Sequence, residues 1–333
     1  MIRTRFYGLL LGLLLVTPLV FAKAEEPRNS SGTNEASGLE NKLESSDARQ
    51  VDWTFSGAVT NESGERYHFY FQLQRRDSQY QALAVLIDDK SKELVFYEKS
   101  EEQLQVSDNK QWQIGRAFLR FNPINNSWVF GIRSKEQKGF NFKVDTLELA
   151  DSTSVKKQEI RDGIELLISR TGRLNGHLQT GADSKEQFVT APKIWFRQIW
   201  TSKSQTSEHL VTAVLCDFNE KGGLYAVNIK EEDAARASVA GWYDANGKAV
   251  RMSQFVSVKE EKDKTWKIHV ALPKTTLLVM NLLPALENRY GLVAGLINKG
   301  IPGFCAISRH HINQEVTTKE KEALSETRIG EGL

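Results

Sequence analysis

Residues 67–75 alternate without a break. Tyr67, Phe69, Phe71 and Leu73 fall on one face of an extended chain, and His68, Tyr70, Gln72 and Gln74 fall on the other. A period of two with one apolar face is the pattern of a half-buried antiparallel strand. The stretch Trp53-Thr54-Phe55-Ser56-Gly57 opens the same pattern, and strands of this kind recur to about residue 310 with no long amphipathic helix between them. The chain is therefore predicted to be all-β, built as small antiparallel β-barrels, whose interiors either fill with side chains or hold a ligand.

The strands divide into two sets. The first covers residues 51–190 and includes Tyr67–Arg75 and a single strand over Trp112–Phe121. The second covers residues 191–313, opening with Ile194–Ser202, followed by His209–Cys216 and closing with Gly303–Arg309. Asn61-Glu62-Ser63-Gly64, Gly222-Gly223 and Asp244-Ala245-Asn246-Gly247 read as turns, since Gly and Asn adopt the positive φ that tight turns require. Each set holds about the strand count of one small barrel.

Both ends of the chain differ from this body. Arg3 and Arg5, the apolar run Gly8–Val16 and the small residues around Ala22 and Ala24 match a cleavable export signal, so residues 1–22 are expected to be removed and the protein to be periplasmic or secreted. No stable membrane span is expected after cleavage. Residues 23–50 and 314–333 are polar and lack the apolar groups needed to order themselves. With 44 basic and 42 acidic residues well mixed, the net charge of +2 argues against nucleic acid as a partner.

Residues that carry chemistry are few and scattered. His68, His177, His209, His269, His310 and His311 show no zinc-type spacing, so no metal and no cofactor is expected. His310 and His311, at the end of the last strand, read as a solvated pair, and His209 beside Glu208 as a local ion pair. No Gly-x-Ser-x-Gly elbow is present. Tyr243 and Asp244 are the best acid/base pair by adjacency, although neighbours on a strand point to opposite faces. Asp52 and His68 complete the weak catalytic candidates. Cys216 and Cys305 are the only cysteines, and in an exported chain they either bridge or remain as two buried thiols. On the strand count above, Cys216 lies on the second strand of its set, one place from the strand that closure would bring against Cys305.

Taken in order, Trp53 to Val59, Glu62-Ser63-Gly64, Tyr67 to Leu73, Ser169 to Leu178 and Gly241 to Gly247 resemble the segments of the hydroxyneurosporene synthase (carotenoid 1,2-hydratase)-like family of secreted proteins. The resemblance implies two tandem lipocalin-like barrels. It also implies a pocket in which the family's Trp-Met-Asp-His-Glu-Phe segment supplies ionisable groups. Here that segment reads Trp195-Phe196-Arg197-Gln198-Ile199-Trp200, and Val51 replaces the Glu of the first domain. Arg is always protonated, and Gln and Ile transfer no proton. The expected function is thus binding of an apolar or amphipathic ligand, of lipid or isoprenoid class, without the relatives' catalysis. Trp53, Phe55, Trp195, Arg197, Gln198 and Trp200 are its candidate contacts. The alternatives are a hydratase or hydrolase using replacement groups, and an interaction module with solidly filled barrels.

Overall fold

The computed structural model describes residues 48, 50–104, 110–146 and 156–312, apart from 172, 182, 204, 206 and 263. The expected signal, the polar segment before Ala48 and the tail from 314 lie outside the described residues. The first strand starts at Gln50, slightly earlier than expected, and Ala48 is buried.

Two antiparallel sheets curl into two nearly closed, lipocalin-like barrels. The first sheet holds β1 (Gln50–Asn61), β2 (Arg66–Arg76), β3 (Gln79–Asp88), β4 (Leu94–Gln103), β5 (Gln111–Ile114), β6 (Ala117–Asn122), β7 (Ser127–Arg133), β8 (Gly139–Asp145), β9 (Lys156–Arg161), β10 (Ile164–Thr171), β11 (Leu174–Gln179), β12 (Gln187–Ala191) and β13 (Ile194–Thr201). Its order is β4-β3-β2-β1-β12-β11-β8-β7-β6-β5, with β13 on β1, β10 on β13 and β9 on β10. The expected strand Trp112–Phe121 is split into β5 and β6, because Gly115 takes φ +55° and turns the chain. Closure comes where β5 meets β3 and β4, and the Gly115 amide donates to Glu102 Oε1 at 2.8 Å.

The second sheet holds β14 (His209–Asp217), β15 (Gly223–Glu231), β16 (Ala234–Tyr243), β17 (Ala249–Ser253), β18 (Val256–Glu260), β19 (Thr265–Val270), β20 (Thr275–Asn281), β21 (Leu292–Lys299) and β22 (Phe304–Ile312), with the short helix α1 (Pro284–Tyr290) between β20 and β21. Its order is β17-β16-β15-β14-β22-β21-β20-β19-β18. Side chains stitch its seam: Asn228 Nδ2 donates to the Val256 carbonyl at 3.0 Å, and the Ser238 hydroxyl donates to the Gln254 carbonyl at 2.6 Å.

The strand Ile194–Thr201, expected to open the second barrel, belongs to the first. β12 and β13 run in succession along the edge of β1: Thr190 lies opposite Thr60, and Trp195 to Trp200 lie opposite Ser56 to Val51. β1 is long enough to take both as neighbours. This shift makes β14 the first strand of the second barrel, so closure sets it directly against β22 with Cys216 opposite Cys305. The two cysteines form a disulfide with a Cα separation of 4.1 Å, both inside the barrel.

The apolar faces behave as the alternation requires. Trp53, Phe55, Val59, Phe69, Phe71 and Leu73 point into the first barrel with Phe130, Phe140 and Phe142. Their rings pack at close range, with Phe55 and Phe130 centroids 4.2 Å apart and Phe140 and Phe142 centroids 4.5 Å apart. Each such side chain contributes ~1.5–3 kcal/mol through burial. This interior is an aromatic core at its centre rather than an empty cup. The other face of β1 and β2 is buried as well, because the second barrel packs on it. Tyr70, Leu83, Val85 and Ile87 meet Leu286, Leu292, Phe304 and Ala306. Ile164, Leu166, Ile168, Trp195 and Ile199 meet Val211, Leu215, Tyr225, Val227 and Val239. Trp195 is held by its indole N–H, which donates to the Cys216 carbonyl at 3.0 Å. Its ring lies so near Gly223 that a Cβ there would stand 2.6 Å away, which is why this position carries no side chain.

Candidate functional site

Between the two apolar contacts runs a buried polar strip. Asp52 on β1 is its centre, set between Gln74 on β2 and Ile199 on β13 by the sheet register. The carboxylate accepts from the Thr54 hydroxyl at 2.7 Å, from Gln72 Nε2 at 2.6 Å and from Arg197 Nη2 at 3.1 Å to each oxygen. Arg197 reaches across to the second barrel, where Nη1 donates to Ser308 Oγ at 3.1 Å. His310, two residues further along the same face of β22, brings its Nδ1 to 3.5 Å from Asp52 Oδ2. The Tyr70 hydroxyl lies near Ser308 and Thr54 without reaching full hydrogen-bond geometry with either.

Burial alone would raise the Asp52 pKa, but Arg197, His310 and the Thr54 hydroxyl outweigh it and hold the group below the ordinary carboxylate range. Burial lowers the His310 pKa to about 4, Asp52 opposes this, and Arg197 and Arg76 reinforce it. Burial pushes Tyr70 up to about 12. At neutral pH the strip therefore pairs a carboxylate anion with a neutral imidazole and a neutral phenol.

A cavity of about 20 Å³ lies at this point, lined by Asp52, His310, Gln74, Arg76, Ile199 and Trp200 among others. That is room for about one water molecule. It shares Gln74 and Arg76 with a groove of about 340 Å³ along β2, β3 and β4, whose other walls include Gln79, Gln81, Glu101 and Gln103. The imidazole is neutral and so free to accept a proton from water, and the neighbouring carboxylate offsets part of the cost that burial places on the imidazolium.

Of the other residues singled out from the sequence, all but Trp200 fall elsewhere. Trp53 and Phe55 are core residues of the first barrel, and Trp195 is a core residue of the contact between barrels. Trp200 lines the small cavity, with Lys157 Nζ 5.2 Å from its ring centre. Gln198 faces into the first barrel and is wholly buried. His68 pairs through Nε2 with Asp89 at 2.8 Å and stacks on Phe304 at 4.1 Å, further along the same inter-barrel face. That hydrogen bond is the main cause holding the Asp89 carboxyl well below its usual range.

Tyr243 and Asp244 do not form an acid/base pair. The Tyr243 hydroxyl donates to the Ile168 carbonyl at 3.3 Å, while Asp244 caps its turn by accepting from the Asn246 and Lys248 amides, each at 2.9 Å. His310 is not solvated as expected; it is turned inward by the alternation of β22, and only His311 is exposed. Glu208 pairs with His311 at 2.8 Å rather than with His209, which is buried. Among the described residues no three His, Cys, Asp or Glu side chains converge as metal ligands would.

Fold and site together define a tandem-barrel protein with its ionisable groups gathered between the barrels. No protein-family model matches the sequence, and no curated protein matches it significantly. Solved structures do match the fold. A Nitrosomonas europaea protein provisionally assigned as AttH superposes with a TM-score of 0.57 at 14% identity, over 88% of this chain and 99% of that one. Kievitone hydratase from Nectria haematococca superposes with a TM-score of 0.55 at 10% identity, over 80% and 89%. The chain thus shares a lipocalin-like tandem-barrel fold with these structures.

Proposed function

We propose that this protein is a water-adding enzyme, a hydratase or hydrolase, acting on a small amphipathic molecule in the cleft between its barrels. The observation that carries the reading is the anionic Asp52 and neutral His310 set together at a water-sized cavity. His310 accepts the proton of a water placed there, and Asp52, fixed by Arg197, stabilises the resulting charge. The groove that shares Gln74 and Arg76 with the cavity receives the polar part of the substrate. The hydratase among the structural neighbours is consistent with this chemistry on this architecture. Action outside the cytoplasm, following the export signal, is part of the proposal.

The test is incubation of the full chain in ¹⁸O-water with isoprenoid alkenes, unsaturated fatty acids and p-nitrophenyl acyl esters. Enzyme-dependent ¹⁸O incorporation that disappears in His310→Gln is the expected result. No incorporation across the panel, together with unchanged ligand binding in His310→Gln, overturns it.

A second reading is favoured by one specific feature. Asp52 already accepts from Thr54, Gln72 and Arg197. A carboxylate so satisfied suits a binding protein whose polar strip only orients a ligand. Retention of a lipid or polyprenol on the purified protein, with no ¹⁸O incorporation, selects that reading.

A further inference from the structure

The outer face of β2, β3 and β4 carries an array of polar side chains beside the Asp52 cleft. Strand register sets it out in two rows. Arg76, Gln79 and Gln103 lie opposite one another across the three strands, and Gln74, Gln81 and Glu101 form the row beside them. Paired strands lie about 4.8 Å apart and same-face neighbours along a strand about 6.8 Å apart, so the six positions span about 10 by 7 Å. That is the footprint of one or two pyranose rings.

The groove over this array, of about 340 Å³, is large enough to hold a small molecule. Its walls are not those of a lipid site. Ligand pockets are mostly lined by apolar side chains. Here the described lining includes no aliphatic side chain, and its one aromatic, Tyr80, is buried. An acyl or isoprenoid chain would bury little apolar surface against it. Charge selects no ligand either. Glu101 is paired with Lys99, and Glu102 accepts from the Gly115 amide. A phosphate would meet the carboxylates of Glu101 and Glu102, and an ammonium would meet the Arg76 guanidinium.

The remaining chemistry is that of glutamine amides, at positions 74, 79, 81 and 103. Each offers two N–H donors and a carbonyl acceptor. A hydroxyl also donates and accepts, so neighbouring hydroxyls on a ring match such amides. A strand face that met only water would be served as well by Thr, which suits a pleated sheet better. We propose that this groove binds the hydroxyl-bearing ring of an uncharged saccharide, and that the molecule acted on is a glycoside. Its sugar lies on β2–β4 and its aglycone points toward Val51, Ile199 and Ile312 at the small cavity. Gln74 joins the two parts, since its Nε2 donates to Asp52 Oδ2 at 3.3 Å. The aglycone placement rests on the cleft reading; the saccharide site rests on the groove alone.

The test titrates the full chain with octyl β-maltoside below its micelle concentration, read by saturation-transfer NMR. Octyl phosphate and octyltrimethylammonium are the charged controls. The maltoside is expected to bind more tightly than either. Gln81→Ala combined with Gln103→Ala is expected to weaken it about tenfold, as the loss of two hydrogen bonds implies. Gln81 is half-buried and Gln103 exposed, so the double variant should keep the wild-type Tm. Should it not fold, the wild-type preference over the charged controls decides. Maltose binding as tightly as octyl maltoside identifies a free saccharide as the source, and weaker binding identifies an amphipathic glycoside. No maltoside binding, binding unchanged in the double variant, or tighter binding of a charged control overturns the inference. ¹⁸O incorporation without maltoside binding would overturn it while leaving the cleft reading standing. Maltoside binding that needs Gln81 and Gln103, without ¹⁸O incorporation, keeps the saccharide site and removes the cleft reading.

Discussion

Arg197 and Asp52 stand on neighbouring strands of the first barrel, and the guanidinium that holds the carboxylate through both oxygens also reaches Ser308 of the second barrel. One side chain thus neutralises a buried charge and ties the barrels together. Removing only the cation leaves Asp52 buried and uncompensated. Arg197→Met is expected to destabilise the protein by ~3–5 kcal/mol in chemical denaturation, whereas Arg197→Met combined with Asp52→Leu recovers most of the loss, because replacing both partners leaves no stranded charge. Acid works in the same direction. The folded Asp52 pKa is below its ordinary 3.8, so its contribution is complete above that value and is lost as pH falls through the lower folded value.

His310 makes a separate pH dependence. Its folded pKa is about 4 against an ordinary 6.5, so between these values the unfolded chain binds more protons than the folded one. Stability then rises with pH across this window; the contribution is full above 6.5 and falls away toward 4. The span corresponds to about 3 kcal/mol. Urea denaturation between those pH values is expected to show this slope in the wild type and a flatter one in His310→Gln. An NMR titration placing the His310 midpoint near 6.5 would remove the basis for a neutral imidazole at the cleft.

The legible part of this fold was whatever depends on residues two apart. Tyr67, Phe69, Phe71 and Leu73 form a core face because alternation is local, and the core of the first barrel followed from it. The fate of the opposite face was not legible. Asp52, Tyr70 and Gln72 are buried by strands more than 200 residues downstream, and nothing near them records that packing. Ile194–Thr201 reads as a strand in any context; its allegiance to β1 depends on the length of β1 rather than on its own residues. The same misplacement hid the cysteine pairing, since moving one strand to the first sheet makes β14 and β22 neighbours. Asp52 was visible as a candidate beside Trp53. His310 was not, because both faces of β22 are rich in apolar or small residues, Phe304 and Ala306 on one and Cys305 and Ile307 on the other, and either would serve as the inner one.

Cys216 and Cys305 close a loop of 89 residues of separation within the second barrel. Constraining the unfolded chain in this way is worth ~2–4 kcal/mol. The double variant Cys216→Ala, Cys305→Ala is expected to lose that amount in denaturant titration while keeping an all-β circular dichroism spectrum. Both cysteines are fully buried, so reductant is expected to open the bridge quickly only in denaturant. Mass analysis should then show a gain of two hydrogens after denaturing reduction and none after brief native reduction. Rapid native reduction would mean that the barrel end is more open than the packing implies.

Glu287 of α1 is the anchor that pins the helix to the second barrel. Its carboxylate accepts from the Trp266 indole N–H at 3.2 Å and from Arg309 Nη2 at 3.4 Å, and it also accepts from Asn281 Nδ2. Arg309 in turn lies over the Trp266 ring at 5.0 Å. Glu287→Ala removes the common acceptor, leaving the Trp266 and Asn281 donors without their partner and Arg309 without its counter-charge. The expected loss is ~2–4 kcal/mol, because stranded buried donors cost more than the net worth of each bond. Glu287→Gln keeps a carbonyl acceptor of the same shape and should lose only about half as much. Hydrogen exchange adds a local readout. Faster exchange in both variants is expected at the Gly291 amide, which donates to the Glu287 carbonyl at the helix end, and at the Leu282 amide, which donates to Ala294. Equal losses for Ala and Gln would show that the side chain acts through charge alone, and no loss for Ala would remove its anchoring role.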